Sequence, residues 1–510
     1  MSADEKLTAV AESYRKALPE GEVAEFGISG LDHTGVPVWT AALWPRIGSG
    51  EGSGYGPFCN GVGYGLTEEA ARTSAYGECV EAAGAWSNVG RMDRTRATYR
   101  ELAREYGERS VMDPATGCLP AGSGYTPELE LDWVQARRYP GGEPVIVPVE
   151  FVATRGADLP PDAPKPLFTP VTNGLGAGLG LDRALSHAVL EILQRDGNGL
   201  AFRALDRGIS IGGLEDLADT GARELLERLD SEGISVTVKL AATDFGFTNV
   251  YAVGEDRDPA REPHPLTLTA CGEACHPDRD TAIRKAVAEF CASRSRKPFN
   301  HGPLAPIARL SPPGYVERFR EQPLGSEEDR SLTAMLEWLS LPREELRRKV
   351  AGILGAERTV PYQELPTTRL SGGPAELMDL LRSRLSDEGF EVFYVDISPD
   401  GSATSDSVNP VTAVKAVVPG LEVETLSYGR IGSRNLDRLL ERDLGLVGLG
   451  PPPADRPRAR RILLTEAEEA RRGPAWFDYA AAESVVGDLY PLYREPGRHV
   501  AALAAEREAG

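Results

Sequence analysis

The sequence predicts a mixed α/β protein, a single large body of repeated strand–turn–helix units gathered around a common site. Three observations carry that expectation. A glycine is followed seventeen residues later by a glutamate three times, Gly61 to Glu78, Gly174 to Glu191 and Gly272 to Glu289. Strand-like and helix-like apolar periods alternate densely along the chain, the grammar of α/β folds. No clean compositional break separates those segments.

Size and charge narrow the function classes. With 510 residues the chain can bury a large core, and 41% hydrophobic with 26% charged residues is ordinary for a globular protein. No apolar run reaches the about 18 residues of a membrane helix. The opening MSADEKLTAV lacks a signal-peptide core, so the expected location is cytoplasmic, away from any membrane. A net charge of −21 argues against nucleic-acid binding, which depends on a cationic face. It leaves room for a local anion site, because carboxylates reach phosphates through Mg²⁺. Six cysteines make no disulfide framework, and Cys271 and Cys275 lack a second pair to complete a zinc site, so buried thiols are expected.

The elements follow in order. Residues 1–22 read as an amphipathic helix on Leu7, Val10, Ala11, Tyr14 and Leu18, stopped by Pro19–Gly21. Residues 23–45 alternate as a hairpin, and the glycine-rich 48–57 forms a loop into the first repeat. Segment 96–140 is mixed, with strands expected at 130–137 and 144–153. The second repeat occupies 173–199. A helix at 220–232 precedes strands at 234–240 and 248–254, and 266–274 enters the third repeat. Residues 300–314 read as a connector. Helices are expected at 330–353 and 374–388, strands at 390–397 and 411–420, and a proline-rich linker with solvated arginines at 450–461. The tail ALAAEREAG is expected to fray.

The repeat helices carry the chemistry. Ser74, Glu78 and Glu81 stand at i, i+4 and i+7 on one helix face. Two carboxylates a turn apart repel unless a cation joins them, so the pair fits either Mg²⁺ or a solvated surface. The second helix places His187, Glu191 and Gln194 at the same offsets, with Arg195 alongside; a lone histidine there is more often a packing residue. The third offers Lys285, Glu289, Arg294 and Arg296, cations suited to a triphosphate. The glycines 61, 63, 65, 174, 176 and 178 admit two explanations, backbone approach to phosphate or tight strand–helix packing. Neither the P-loop nor the Rossmann pattern is present, and no Ser-His-Asp or Cys-His arrangement declares itself.

These residues resemble the YcaO superfamily. The shared patterns are Ser-x₃-Glu-x₂-Glu (Ser74, Glu78, Glu81), Asn173-Gly174 through Ala177-Gly178 leading to Glu191, Gln194 and Arg195, and Glu289-x₃-Ser293-Arg294. LDHTGVPVW (Leu31–Trp39) and VVPGLE (Val417–Glu422) resemble further family segments, and the likeness spans roughly 25 to 425. The resemblance implies a YcaO-like body with an ATP site, divided as an N-terminal helix (1–22), a catalytic domain (23–425, with a helical insertion around 320–385) and a C-terminal extension (426–510). It implies ATP with Mg²⁺ and activation of a backbone amide in a ribosomally made peptide, giving an azoline, thioamide or amidine. Glu78, Glu81 and Glu191 are the implied Mg²⁺ ligands; Ser74, Gln194, Arg195, Glu289 and Arg294 are the implied nucleotide contacts. No catalytic residue is singled out. A peptide substrate, a separate peptide-recognition or sulfur-delivery partner and a homodimer are also implied. Three departures bear on this: Tyr64 stands within Gly-Tyr-Gly where the family often has lysine, and Leu179 and Arg183 replace a frequent asparagine and glutamate. The family's C-terminal Pro-x-Pro-x-Pro is absent, which lowers the azoline reading. The alternative is a catalytically silent ATP-binding scaffold that presents peptide to a second enzyme.

Overall fold

The computed structural model describes residues 2–45, 59–159, 162, 166–199, 203–321, 328–399, 411–423 and 428–509. They form two compact units, Met1–Ala83 with Asp206–Arg369 and Asp488–Gly510, and Gly84–Leu205 with Leu370–Gly487. The mixed α/β class is as expected.

In the first unit, helix Ala3–Ala17 starts at Ser2, whose hydroxyl and Glu5 form a capping box. The hairpin follows: Gly21–Gly27 pairs antiparallel with Val38–Pro45, and Cys59–Tyr64 adds a third strand. A five-stranded sheet runs in the order Gly272–His276, Thr248–Asp256, Ile234–Ala242, Ile209–Gly212, Arg358–Pro361. Helices Thr220–Ser231 and Arg279–His301 share its core through Leu225, Ile283, Val287 and Phe290.

In the second unit the main sheet runs Thr95–Thr98, Glu130–Arg138, Phe393–Asp396, Val411–Val417, Leu175–Leu179, with Pro144–Pro148 branching from Glu130–Arg138. Helix Leu181–Asn198 packs on the second repeat strand, Leu175–Leu179. A smaller sheet holds Ala475–Asp478 between Val447–Leu449 and Ala459–Arg461.

The glycine pattern is explained by packing. A Cβ on Gly63 would lie 2.0 Å from the backbone nitrogen of Ala75, one on Gly176 2.2 Å from the oxygen of Ala184, and one on Gly272 2.0 Å from the oxygen of Ala286. Each repeat strand therefore rests directly on the backbone of its own helix. The spacing follows from the same geometry. A strand covers about 13 Å in four residues and a helix returns about 15 Å in ten, so a chain that doubles back sets the glutamate opposite its glycine. Gly272→Ala should cost about 2–3 kcal/mol by forcing this contact apart. Gly90→Ala, where a Cβ meets open space, serves as the control. Equal urea midpoints for the two variants would remove the close-approach explanation.

Several expectations change. The strand expected over 144–153 ends at Pro148, and Val149–Val152 turns into a short helix. The 300–314 connector contains helix Leu304–Leu310 and the end of Arg279–His301. The 330–353 helix is two, Asp329–Ser340 and Arg343–Leu354, parted at Pro342, which has no N–H to continue the ladder. The proline-rich 450–461 stretch ends in a sheet strand, and Arg456 pairs with Asp478 at 3.3 Å instead of being simply solvated. The tail does not fray: Val500–Ala509 is helical, with Ala502 and Leu503 packed into an aromatic cluster of Phe26, Trp44, Phe299 and Phe319. The 48–57 loop lies outside the described residues.

Candidate active site

In the first unit two repeats converge. Helix Arg279–His301 lies against the first repeat strand as well as its own. Glu78 accepts a hydrogen bond from the backbone N–H of Val62 at 2.8 Å. Glu289 accepts one from the N–H of Glu273 at 3.3 Å and a longer one from the Tyr64 hydroxyl at 3.4 Å. Each carboxylate is thus aimed by the strand it faces. Tyr64, within Gly63-Tyr64-Gly65, touches one of them directly.

Surrounding protein pushes the Glu78 carboxyl up to about 7; the Val62 N–H and the charges of Arg296 and Arg498 oppose the push, and Glu289 adds to it. Solvent nevertheless reaches Glu78, which is exposed on one side, so screening tempers that shift. Burial and the charges of Glu289 and Glu78 hold the Tyr64 phenol protonated well beyond its ordinary range. Tyr64 is therefore a hydrogen-bond donor here. Ser74 and Glu81, half-buried, stand one turn before and after Glu78.

Arg294 is placed differently from its neighbours. Its guanidinium is fully buried, with Nε and Nη2 on Asp32 at 2.8 and 2.9 Å and Nη2 on Asp256 at 2.7 Å. Only Nη1 is without a partner among the described residues.

In the second unit Glu191 repeats the pattern, accepting from the N–H of Gly174 at 3.2 Å. Gln194 and Arg195, half-buried, occupy the next turn. Asp196 anchors that turn through Arg434 and Arg438 at 2.9 and 3.0 Å. Leu179 is exposed at the strand end and Arg183 in the first helical turn.

Sequence reasoning missed Arg498, Asp32 and Asp256. Asp32 lies in the LDHTGVPVW stretch, but nothing in local spacing ties it to Arg294, and Arg498 reaches Glu78's surroundings only through the docking of the C-terminal segment. Tyr64 was visible only as a departure.

Among the described residues no three His, Cys, Asp or Glu side chains are close enough to hold a metal by themselves. An Mg²⁺ ion held by these carboxylates would draw the rest of its shell from phosphates and water. Glu78 and Glu289 repel each other, each raising the other's cost of ionisation. Among the described residues no helix is long and apolar enough to cross a membrane.

Repeated strand–helix units with strand-aimed carboxylates, and arginines within electrostatic reach, define an α/β protein of the kind that handles a metal-bound polyphosphate. A family model described as YcaO cyclodehydratase, ATP- and Mg²⁺-binding, matches residues 62–422, and the chain belongs to this family. ATP and Mg²⁺ are the family's cofactors, and its enzymes are ATP-dependent peptide modifiers. An uncharacterised protein of Methanothermobacter thermautotrophicus is 29% identical over 80% of this chain and 91% of its own length. An uncharacterised protein from the tfuA 3′ region of Rhizobium leguminosarum bv. trifolii is 26% identical over 74% and 80%. The YcaO protein of Methanopyrus kandleri, solved with AMPPCP and Mg²⁺, shares the fold at TM-score 0.53 and 21% identity, over 82% of this chain and 91% of that one. A heterocyclase solved with substrate and cofactor shares it at TM-score 0.60 and 15% identity; this chain aligns over 86% of its length but spans only 55% of that structure.

Proposed function

We propose that this chain uses ATP and Mg²⁺ to O-phosphorylate a backbone amide of a ribosomally made peptide, so that a nucleophile can replace the amide oxygen. The observation that carries this reading is the Glu78–Tyr64–Glu289 group, with Arg296 and Arg498 acting on it electrostatically. An amide oxygen is a very poor leaving group, and ATP supplies the phosphoryl group that makes it a good one. The nucleophile adds at the amide carbon, the oxygen takes the phosphoryl group, and phosphate departs with the C–O bond pair. A sulfide yields a thioamide, a Cys, Ser or Thr side chain an azoline, and an amine an amidine.

Within this reading Glu78, Glu81 and Glu191 hold Mg²⁺. Ser74, Gln194, Arg195 and Glu289 orient the nucleotide, and Arg294 can do so only through Nη1. Their work is positioning and charge neutralisation. A separate protein delivers the peptide or the sulfur, and the working form is a homodimer.

A second reading, an ATP-binding scaffold without turnover, is favoured by Tyr64 in place of a cation and by the apolar Leu179. The purified chain, given ATP, Mg²⁺ and a precursor peptide, should release ADP and phosphate as the peptide loses water or exchanges oxygen for sulfur. A thermal midpoint raised by ATP–Mg²⁺ with no turnover supports the scaffold. No shift in the midpoint sinks both readings.

A further inference from the structure

The second unit holds a partly open cavity of about 60 Å³ next to the second repeat strand. Its floor holds Lys415, 2% exposed, whose Nζ donates to the backbone oxygens of Val171 and Asn173, each at 2.6 Å. An ammonium carries three donors, and the third has no acceptor among the described residues. No carboxylate there lies within ion-pair distance of it. Beside it the Asn173 side chain, 8% exposed, has its Nδ2 buried with no partner. Burial pushes the Lys415 amine down to about 7, with the charge of Glu191 opposing the push. A part-charged buried amine with an unused donor and a buried amide without an acceptor are each costly, and here both line one empty space.

The other charged groups on the wall are already engaged. Arg430 donates to the oxygens of Gly117 and Cys118 and stacks on Phe168 at 4.0 Å. Glu422 accepts from the N–H groups of Gly432 and Asn435, and Glu150 from that of Leu167. Burial pushes both carboxyls up, to about 7 for Glu150, which mutes their repulsion of an anion. The remaining walls are apolar, with Phe151 and Ile192 among them.

We propose that this cavity binds a carboxylate group, taken between the Lys415 ammonium and the Asn173 amide. Its volume is several times the about 10–15 Å³ that one water needs, and its partial opening suits a short acid or the carboxylate end of a longer molecule. The occupant stands one residue from the Gly174 N–H that aims Glu191. The proposal is independent of the phosphoryl-transfer reading, because its test contains no nucleotide.

Ligand-observed NMR on the full chain should show saturable binding of propionate and of N-acetylglycine. Propionamide and N-acetylglycinamide should bind about tenfold more weakly or worse, lacking the charge-assisted bond. Tighter binding of N-acetylglycine than of propionate assigns the site to a peptide end, and the reverse assigns it to a free small acid. Both Lys415→Met and Asn173→Leu should erase the preference for acid over amide. Asn173→Leu keeps the test decisive if Lys415→Met does not fold. Equal binding of acids and amides, no binding of either, or a preference that survives in the folded variants leaves the cavity to water and overturns the proposal.

Discussion

A chain carrying Glu78→Ala is expected to lose ATP turnover by about 10²–10³-fold or more while keeping a near-normal thermal midpoint. The stability effect is small because the Val62 N–H that Glu78 accepts can be taken over by water at this open edge. Glu78→Gln preserves that acceptor but not the charge, so its turnover should fall nearly as far. Glu191→Ala, on the other unit, should behave alike. Turnover in Glu78→Ala and Glu191→Ala indistinguishable from the unaltered chain would remove the metal-ligand reading.

The same carboxyl imposes a pH dependence. In the folded chain it holds its proton up to about 7, whereas unfolded it loses it near the ordinary 4.5. Between those values the folded form binds more protons, so the stability of the metal-free chain declines as pH rises through that window. The contribution is complete below about 4.5 and gone above about 7. Glu78→Gln should flatten the slope. Mg²⁺ competes with the proton, so its apparent affinity should fall by up to about tenfold per pH unit below neutrality. Calorimetric titrations at pH 6 and 8 would show this as a change in apparent affinity; identical affinities would count against Glu78 as a ligand.

Arg294→Ala is expected to cost about 3–5 kcal/mol, because it leaves the buried carboxylates of Asp32 and Asp256 without their cation. Arg294→Lys should recover only part, since an ammonium cannot reproduce the two-pronged contact with Asp32. Adding Asp32→Asn to Arg294→Ala should restore part of the loss, and that coupling identifies the pair as the cause. A normal unfolding midpoint in Arg294→Ala, with only nucleotide affinity reduced, would instead assign the residue to the ligand.

The repeat geometry was legible because it is local. The Gly-to-Glu period is the length of a strand, a turn and a returning helix, so each repeat carries its own ruler. That is why Glu78, Glu191 and Glu289 stood out, and why each accepts from the strand N–H at or beside its glycine. The two explanations for the glycines could not be separated on residue type, since phosphate approach and backbone contact both need a missing side chain. The backbone contacts at Gly63, Gly176 and Gly272 are close enough to require glycine without any ligand. Element errors fell where tertiary burial outweighed local preference. ALAAEREAG reads as a fraying end until Leu503 meets Phe299 and its neighbours, and β-branched Val149 and Val152 turn helical after Pro148.

The sequence by itself determined the α/β class, the three repeats, their acidic residues and the family. Only the tertiary structure decided that Tyr64 meets Glu289, that Arg294 is spent on Asp32 and Asp256, and that Lys415 reaches the backbone oxygens of Val171 and Asn173. The physical reason is range. Periodicity and capping act within a few turns, whereas those pairings join residues far apart in sequence and exist only once the core has closed around them.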